Sequence, residues 1–342
     1  MHPRTKAALL AAVKFAIPAL IIGYLLRFHI TPEHWRDLNQ QPKDYGLLAA
    51  ALLVAVAAMS LSFARWCLLV RAQGIELSQL EAFRLGSICF LLSFVSAGSV
   101  GGDLFKAIML GRRRPGKRVA AVASVIADRG IGLYGLLILV VVALWILPDR
   151  TLSQQQQDRL DQIRLGTMVL ILAGTAALAV LVLGGKWVDR AVGSMAKWPR
   201  FGESIERLAS PLRMFHTHSM AFFAAVAMSV GVQGMLATSM YLVARGLYQS
   251  PPPLVEHLVM VPIGMLASAL PIAPAGLGVL EATLEWLYSF VPAEPTQASG
   301  TLVALVFEFV KVVMAILGTV FYWMARAEVR QGLDLVESHG QA

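Results

Sequence analysis

The chain has 342 residues, of which 57% are hydrophobic and 15% are charged, and its formal net charge is +8. The apolar residues form long uninterrupted blocks, which excludes an ordinary soluble domain. The Lys and Arg residues lie mainly in short segments between these blocks, where orientation in a membrane explains them, so we expect no nucleic-acid partner.

Six blocks are long enough to cross a bilayer as helices, which requires about 20 apolar residues. They are residues 7–26, 46–65, 119–147, 165–185, 219–244 and 301–324. Lys14 and Pro18 interrupt the first block and no small-residue cleavage site follows it, so we interpret it as an uncleaved span. The pattern predicts an all-α integral membrane protein with one membrane domain over residues 1–342.

Two further apolar segments are broken by small residues and proline. Residues 83–110 break at 96–102 (SAGSVGG), and residues 257–290 break at 271–276 (PIAPAG). Each arm has about 8–16 residues and is too short to cross alone, so each segment is either a kinked span or a re-entrant helical hairpin.

The distribution of Lys and Arg favours two hairpins. Two hairpins place 18 of these residues on the cytoplasmic side and 7 outside, whereas two crossings give 11 and 14. Positive charge is normally enriched on the cytoplasmic side. With only the second segment crossing, the counts are 16 and 9, so that arrangement stays open.

The order of segments then occurs twice along the chain. Each half-repeat, 1–150 and 160–326, contains two spans, a hairpin and a third span. Because each half crosses the membrane three times, the second half has the opposite orientation to the first. We predict six full transmembrane helices plus two re-entrant hairpins, about eight apolar segments in all, as an inverted-topology repeat. The N-terminus and a short tail at 327–342 are predicted to be cytoplasmic, in an inner (cytoplasmic) membrane.

Charged residues and glycines within the apolar segments form the candidate site. An ionised side chain at the centre of a membrane helix costs on the order of 3 kcal/mol, so such residues normally face protein or a wet cavity. Glycines at the breaks allow a ligand or another backbone to come close. The predicted substrate-binding residues are Gly101, Gly102, Asp103, Lys106, Asp128, Arg129, Gly276, Gly278, Glu281, Glu308 and Lys311.

Two interpretations of these charges stay open. In one, they form a buried ion network that holds the hairpins to the spans, with Glu308 and Lys311 as neighbours on one helix face. In the other, the positive N-terminal ends of the second hairpin arms and the basic side chains bind an anionic group such as phosphate. Asp103 and Glu281 are also placed to cap those N-terminal ends themselves.

No motif predicts a cofactor, a metal or a catalytic residue. Gly111 to Lys117 spells G-x-x-x-x-G-K, but Arg118 replaces the Ser or Thr that a phosphate-binding loop requires. His216 and His218 have no third metal ligand near them in the sequence. The two cysteines lie in or beside apolar segments and form no ligand spacing.

Three stretches resemble the lysylphosphatidylglycerol synthase/flippase transmembrane-region family. They are residues 96–107 (SAGSVGGDLFKA), 123–133 (ASVIADRGIGL) and 270–282 (LPIAPAGLGVLEA). The resemblance implies a flippase-like fold and the handling of phospholipids, polyprenyl-linked lipids or hopanoids. It places the candidate residues within these stretches, and also Pro274, in the family's recurring motifs. Lys106 occupies a position where Arg is commoner in the family, so a bidentate contact with a phosphate is lost there.

The sequence therefore predicts a lipid flippase or transporter that handles an anionic lipid or lipid-linked substrate, with membrane lipids as partners. We expect no soluble aminoacyl-transferase domain, because little chain follows the last span. We also expect no enzymatic activity, because the sequence shows no recognisable catalytic constellation. Two alternatives stay open. One is an intramembrane lipid-modifying enzyme that uses Asp103, Asp128 or Glu281 as acid or base. The other is a scaffold that recruits a lipid-modifying enzyme through residues 186–218. The oligomeric state is not indicated.

Overall fold

The computed structural model describes residue 39 and residues 41–95, 100–114, 116–147, 153–183, 219–270 and 276–324. This part of the chain forms nine α-helices and no strand, which confirms the predicted all-α class. The helices are α1 (Tyr45–Ala72), α2 (Gln79–Val95), α3 (Val100–Arg113), α4 (Arg118–Ile146), α5 (Gln154–Leu183), α6 (Ser219–Leu247), α7 (Leu254–Ser268), α8 (Val279–Tyr288) and α9 (Gly300–Met324).

Five of these helices, α1, α4, α5, α6 and α9, are long and apolar enough to cross a membrane. They overlap five of the six predicted spans, and the predicted span at 7–26 lies outside the described residues. Uninterrupted apolar blocks become helices in hydrocarbon because a helix satisfies its backbone groups internally. Large apolar side chains such as Leu172 and Trp323 remain exposed on these helices. The chain is a multi-pass membrane protein.

Helix α1 is longer than the sequence predicted. The predicted span, residues 46–65, ended at Arg65. In the structure α1 continues to Ala72, and Arg65 is only 5% exposed. A charge ends a hydropathy block, whereas here Asp128 of another helix compensates the charge of Arg65 and α1 continues past it.

The four remaining helices form two pairs that fold back on themselves. A side chain at Gly102 of α3 would overlap the Cys89 carbonyl of α2, so the two helices touch closely across their break. In the second pair, a Cβ on Gly264 of α7 would lie 3.1 Å from Leu280 of α8. The breaks themselves, residues 96–99 and 271–275, lie outside the described residues.

The two ends of each pair meet at one end of the protein. Arg114, after α3, donates to the Glu76 carbonyl before α2 at 3.3 Å. The Ala293 N–H, after α8, donates to Glu256 in the first turn of α7 at 3.0 Å. Each pair is therefore a helical hairpin in its packing, and its re-entrant position in a bilayer stays a prediction.

The bases of the two hairpins lie at opposite ends of α1. The base of the first hairpin follows the C-terminus of α1 directly along the chain. At the N-terminus of α1, the Asp44 N–H donates to the Gly246 carbonyl at 3.1 Å, just before the second hairpin begins. A helix of 28 residues is about 42 Å long, which separates the two bases by the depth of a bilayer.

Helices α1 and α6 pack against each other at the centre of the protein. Small buried residues, Ala51 and Ala55 on α1 and Ala237 on α6, allow the two backbones to approach. The Ser239 hydroxyl of α6 donates to the Ala51 carbonyl of α1 at 2.7 Å. This central contact joins the two predicted half-repeats.

The other helix contacts repeat when the halves are exchanged. Helix α2 of the first hairpin packs on α9, and α7 of the second hairpin packs on α4. Likewise α3 packs on α4, and α8 packs on α9. Corresponding helices of the two halves thus make corresponding contacts, while the repeat itself and its inverted orientation in a membrane stay predictions.

Candidate functional site

The helices of both hairpins and four long helices line a cavity of about 360 Å³. All of the helices from α1 to α9 except α5 contribute side chains or backbone to its wall. Five predicted site residues from both halves of the chain meet there: Gly102, Asp103, Lys106, Arg129 and Lys311. The structure thus brings together residues that are up to 209 positions apart in the sequence.

Asp103 lies between two basic side chains. Its Oδ2 is 2.6 Å from Arg129 Nε, and its Oδ1 is 4.0 Å from Lys106 Nζ. The Lys106 ammonium also lies 5.2 Å from the centre of the Trp66 ring, on α1. An aromatic face attracts a cation, so Lys106 is held at the cavity wall by a carboxylate and a ring together.

Gly102 of the first hairpin serves close packing. A side chain at Gly102 would overlap the Ser93 hydroxyl as well as the Cys89 carbonyl, so only glycine fits where α2 and α3 touch. Gly101 is in the first turn of α3, next to this contact. The first-turn N–H groups of α3 have no partners within the helix, and Asp103 is the acidic residue of that turn.

The start of α8 has a different arrangement. Gly276 and Gly278 have φ of +73° and +83°, a backbone region that disfavours side chains. The Gly278 N–H donates to Glu281 Oε2 at 2.7 Å, so Glu281 caps its own helix. This confirms the alternative in which Glu281 satisfies the N-terminal end of the second arm.

Glu308 and Lys311 form an ion pair on α9. Their side chains are 13% and 18% exposed, and Lys311 reaches the cavity wall. Both groups interact electrostatically with Glu281, which is 0% exposed. The predicted charges of the second half therefore form one cluster at the edge of the cavity.

Asp128 lies apart from the cavity wall. Its Oδ1 is 2.9 Å from Arg65 Nε, and the Arg65 Nη1 donates to the Ser229 hydroxyl at 2.9 Å. Ser229 in turn donates to the Ile131 carbonyl at 3.0 Å. This chain of hydrogen bonds joins the long helices α1, α4 and α6. The predicted ion network would instead hold a hairpin to a long helix, as the Asp103–Arg129 pair does.

Sequence reasoning missed Arg65 and Gln233. Gln233 of α6 lines the cavity, is 9% exposed, and its Oε1 has no hydrogen-bond partner among the described residues. The sequence signal that could have indicated Gln233 was a single side-chain amide within the apolar block 219–244. Pro274, His216, His218 and the segment 186–218, which carried other predictions, lie outside the described residues.

Comparison with known proteins gives one match. The sequence model of the family described as "Lysylphosphatidylglycerol synthase TM region" matches residues 9–318. The matched range includes every residue that lines the cavity. No curated protein and no solved structure matches the chain significantly.

Proposed function

Because the chain belongs to the lysylphosphatidylglycerol synthase transmembrane-region family, which indicates a lipid-related function, we propose that it is a transporter that passes an anionic lipid headgroup across the membrane. The headgroup binds in the cavity between the two hairpins, and the acyl or polyprenyl chains stay in the surrounding lipid. Phospholipids, polyprenyl-phosphate-linked lipids and hopanoid-type lipids with an anionic group are the candidate substrates.

The charge of the cavity wall carries this proposal. Three basic side chains, Lys106, Arg129 and Lys311, line the cavity, whereas Asp103 is the one acidic side chain in that wall among the described residues. A phosphate would be attracted by these three cationic groups and would accept hydrogen bonds from the guanidinium and the ammonium groups. The volume of about 360 Å³ is in the range of small-molecule sites.

The apolar part of the wall suits the rest of a lipid. Phe63, Phe90, Leu236 and Met265 line the same cavity. A glycerol or isoprenoid carbon next to the phosphate would lie against these side chains without losing hydrogen bonds to water. A small soluble anion would gain nothing from this surface, which favours an amphipathic substrate.

The arrangement of the hairpins supports transport rather than simple binding. Their bases are at opposite ends of α1 and the helices of both hairpins line one cavity, as expected for a site that opens alternately to two sides. We propose that both hairpins re-enter the bilayer, the first from the cytoplasmic side of an inner membrane, with both chain termini in the cytoplasm.

Leaflet exchange of labelled lipids in proteoliposomes tests the transporter. The panel should include anionic, zwitterionic and polyprenyl-phosphate lipids. Arg129→Gln removes a charged hydrogen-bond donor worth about 1.5–3 kcal/mol, so we expect exchange of the substrate to fall about 10- to 150-fold. Arg245→Gln is the matched control, because Arg245 is exposed at the end of α6 and outside the cavity wall.

Two outcomes would contradict the proposal. Equal exchange with and without protein across the whole panel would exclude a transporter. Recovery of a chemically altered lipid from the vesicles, detected by mass spectrometry, would instead indicate the enzyme alternative, since a transporter leaves its substrate unchanged.

A further inference from the structure

Glu281 is a fully buried carboxylate at the start of α8. It is 0% exposed, and its Oε2 accepts the Gly278 N–H at 2.7 Å. Its Oε1 is also buried and has no hydrogen-bond partner among the described residues. A carboxylate can accept several hydrogen bonds, so one backbone N–H leaves most of the cost of burying its charge uncompensated.

The charged neighbours of Glu281 come from α9. Helix α8 packs on α7 and α9, and α9 presents Glu308 and Lys311 to it. Lys311 is paired with Glu308, so the one cation near Glu281 among the described residues is already shared with another carboxylate. Two acids and one base leave this cluster with one surplus negative charge when all three are ionised.

The other ionisable groups of α7 and α8 have their contacts elsewhere. Glu256 accepts the Ala293 N–H at 3.0 Å, and His257 contacts the Tyr288 hydroxyl, both at the far end of α7 from Glu281. Glu285 accepts the Thr301 N–H at 2.7 Å. These groups do not compensate Glu281.

The charged cluster in the first half of the protein has an excess of positive charge. Asp103 lies between Lys106 and Arg129, so among the described residues of this cluster one acid faces two bases and one positive charge is in surplus. The two surpluses cancel across the cavity only while Glu281 is ionised. A proton on Glu281 would leave one positive charge at the cavity uncompensated, and that charge would require an anion.

We propose that Glu281 is a proton-binding site coupled to the binding of the anionic lipid headgroup. This inference deepens the proposed function and rests on it. The anion supplies the negative charge that Glu281 loses on protonation, so each ligand strengthens the binding of the other. The step is the transfer of one proton from water to a carboxylate oxygen, and no bond of the lipid changes.

The first experiment measures leaflet exchange of a fluorescent phosphatidylglycerol in vesicles of phosphatidylglycerol and phosphatidylcholine, in an acidic and in a mildly alkaline buffer. With the labelled lipid too dilute to saturate the site, parent protein should exchange it faster in the acidic buffer, by up to the about 5- to 150-fold change in affinity that is usual for coupled sites. Glu281→Gln mimics the neutral carboxyl and should give the same rate in both buffers. Glu285→Gln is the matched control one turn along α8 and should keep the pH dependence.

The results separate this inference from the proposed function. Protein-dependent exchange that is equally fast in both buffers, that follows a sodium gradient instead, or that keeps its pH dependence in Glu281→Gln overturns the proton site and leaves the transporter intact. Exchange that the protein does not accelerate in either buffer contradicts the transporter.

A second measurement decides the proton site without transport. Dioctanoyl phosphatidylglycerol is added to the purified protein in weakly buffered detergent, and proton uptake is followed with a pH indicator. Uptake by the parent protein that is lost in Glu281→Gln supports the coupling. No uptake by the parent, or equal uptake by the variant, overturns it.

Discussion

Removing one partner of the Arg65–Asp128 pair should destabilise the protein far more than replacing both. The Nε–Oδ1 distance is 2.9 Å, and the two side chains are 6% and 12% exposed. Arg65→Met would leave the buried Asp128 carboxylate without its cation and would remove the hydrogen-bond donor to the Ser229 hydroxyl. Losses of about 3–5 kcal/mol in the free energy of unfolding are usual for such a change. Arg65→Met/Asp128→Leu should be close to the parent, because replacing a buried ion pair by apolar residues is often neutral.

Reversible unfolding in mixed micelles with increasing dodecyl sulfate gives the free energy of unfolding. The control is the exposed pair of Arg164 and Asp161, with an N–O distance of 3.1 Å and side chains that are 52% and 67% exposed. Arg164→Met should cost at most about 1 kcal/mol. A loss in Arg65→Met as small as in this control, or a double variant as unstable as Arg65→Met alone, would refute the reasoning from the buried pair.

Gly102→Ala should lower the stability by about 1–3 kcal/mol, because its new Cβ overlaps the Cys89 carbonyl and forces the first hairpin apart. Gly130→Ala, where a Cβ meets only open space, should be tolerated, and equal melting temperatures for the two variants would contradict the packing role of Gly102. Cysteines introduced for the exposed Arg112 and Glu294 should react with a membrane-impermeant maleimide from the cytoplasmic and the opposite side, respectively. Both native cysteines are buried, and labelling of Arg112→Cys from outside would contradict the first re-entrant hairpin.

The breaks in the apolar segments could be predicted from sequence because their cause is local. Gly276 and Gly278 adopt positive φ, and short arms flanked by small residues and proline leave few alternatives to a helix, a break and a helix. The fold of each hairpin follows from such signals. Its position in the bilayer was inferred from Lys and Arg counts, which the packing of the protein alone does not test.

The different partners of Asp128 and Arg129 could not be predicted from the sequence. Consecutive residues on a helix point about 100° apart, so only one of two adjacent charges can face a given cavity. Arg129 faces it, whereas Asp128 turns towards Arg65, 63 positions away in the sequence. Which residue faces which way depends on the placement of α1 and α6, and this is a tertiary property that hydropathy does not contain.

The different partners of Asp128 and Arg129 determine which helix contacts substrate binding would change. Asp128 ties α4 to α1 through Arg65, while Arg129 ties the same helix to the first hairpin through Asp103. A phosphate that binds Arg129 competes with Asp103 for the same guanidinium, so it weakens the contact between α4 and the hairpin and leaves the contact between α4 and α1 unchanged. Under the proposed function, the first hairpin would therefore move relative to α1 and α4, which stay in contact. This follows because the adjacent residues Asp128 and Arg129 of α4 bind different partners.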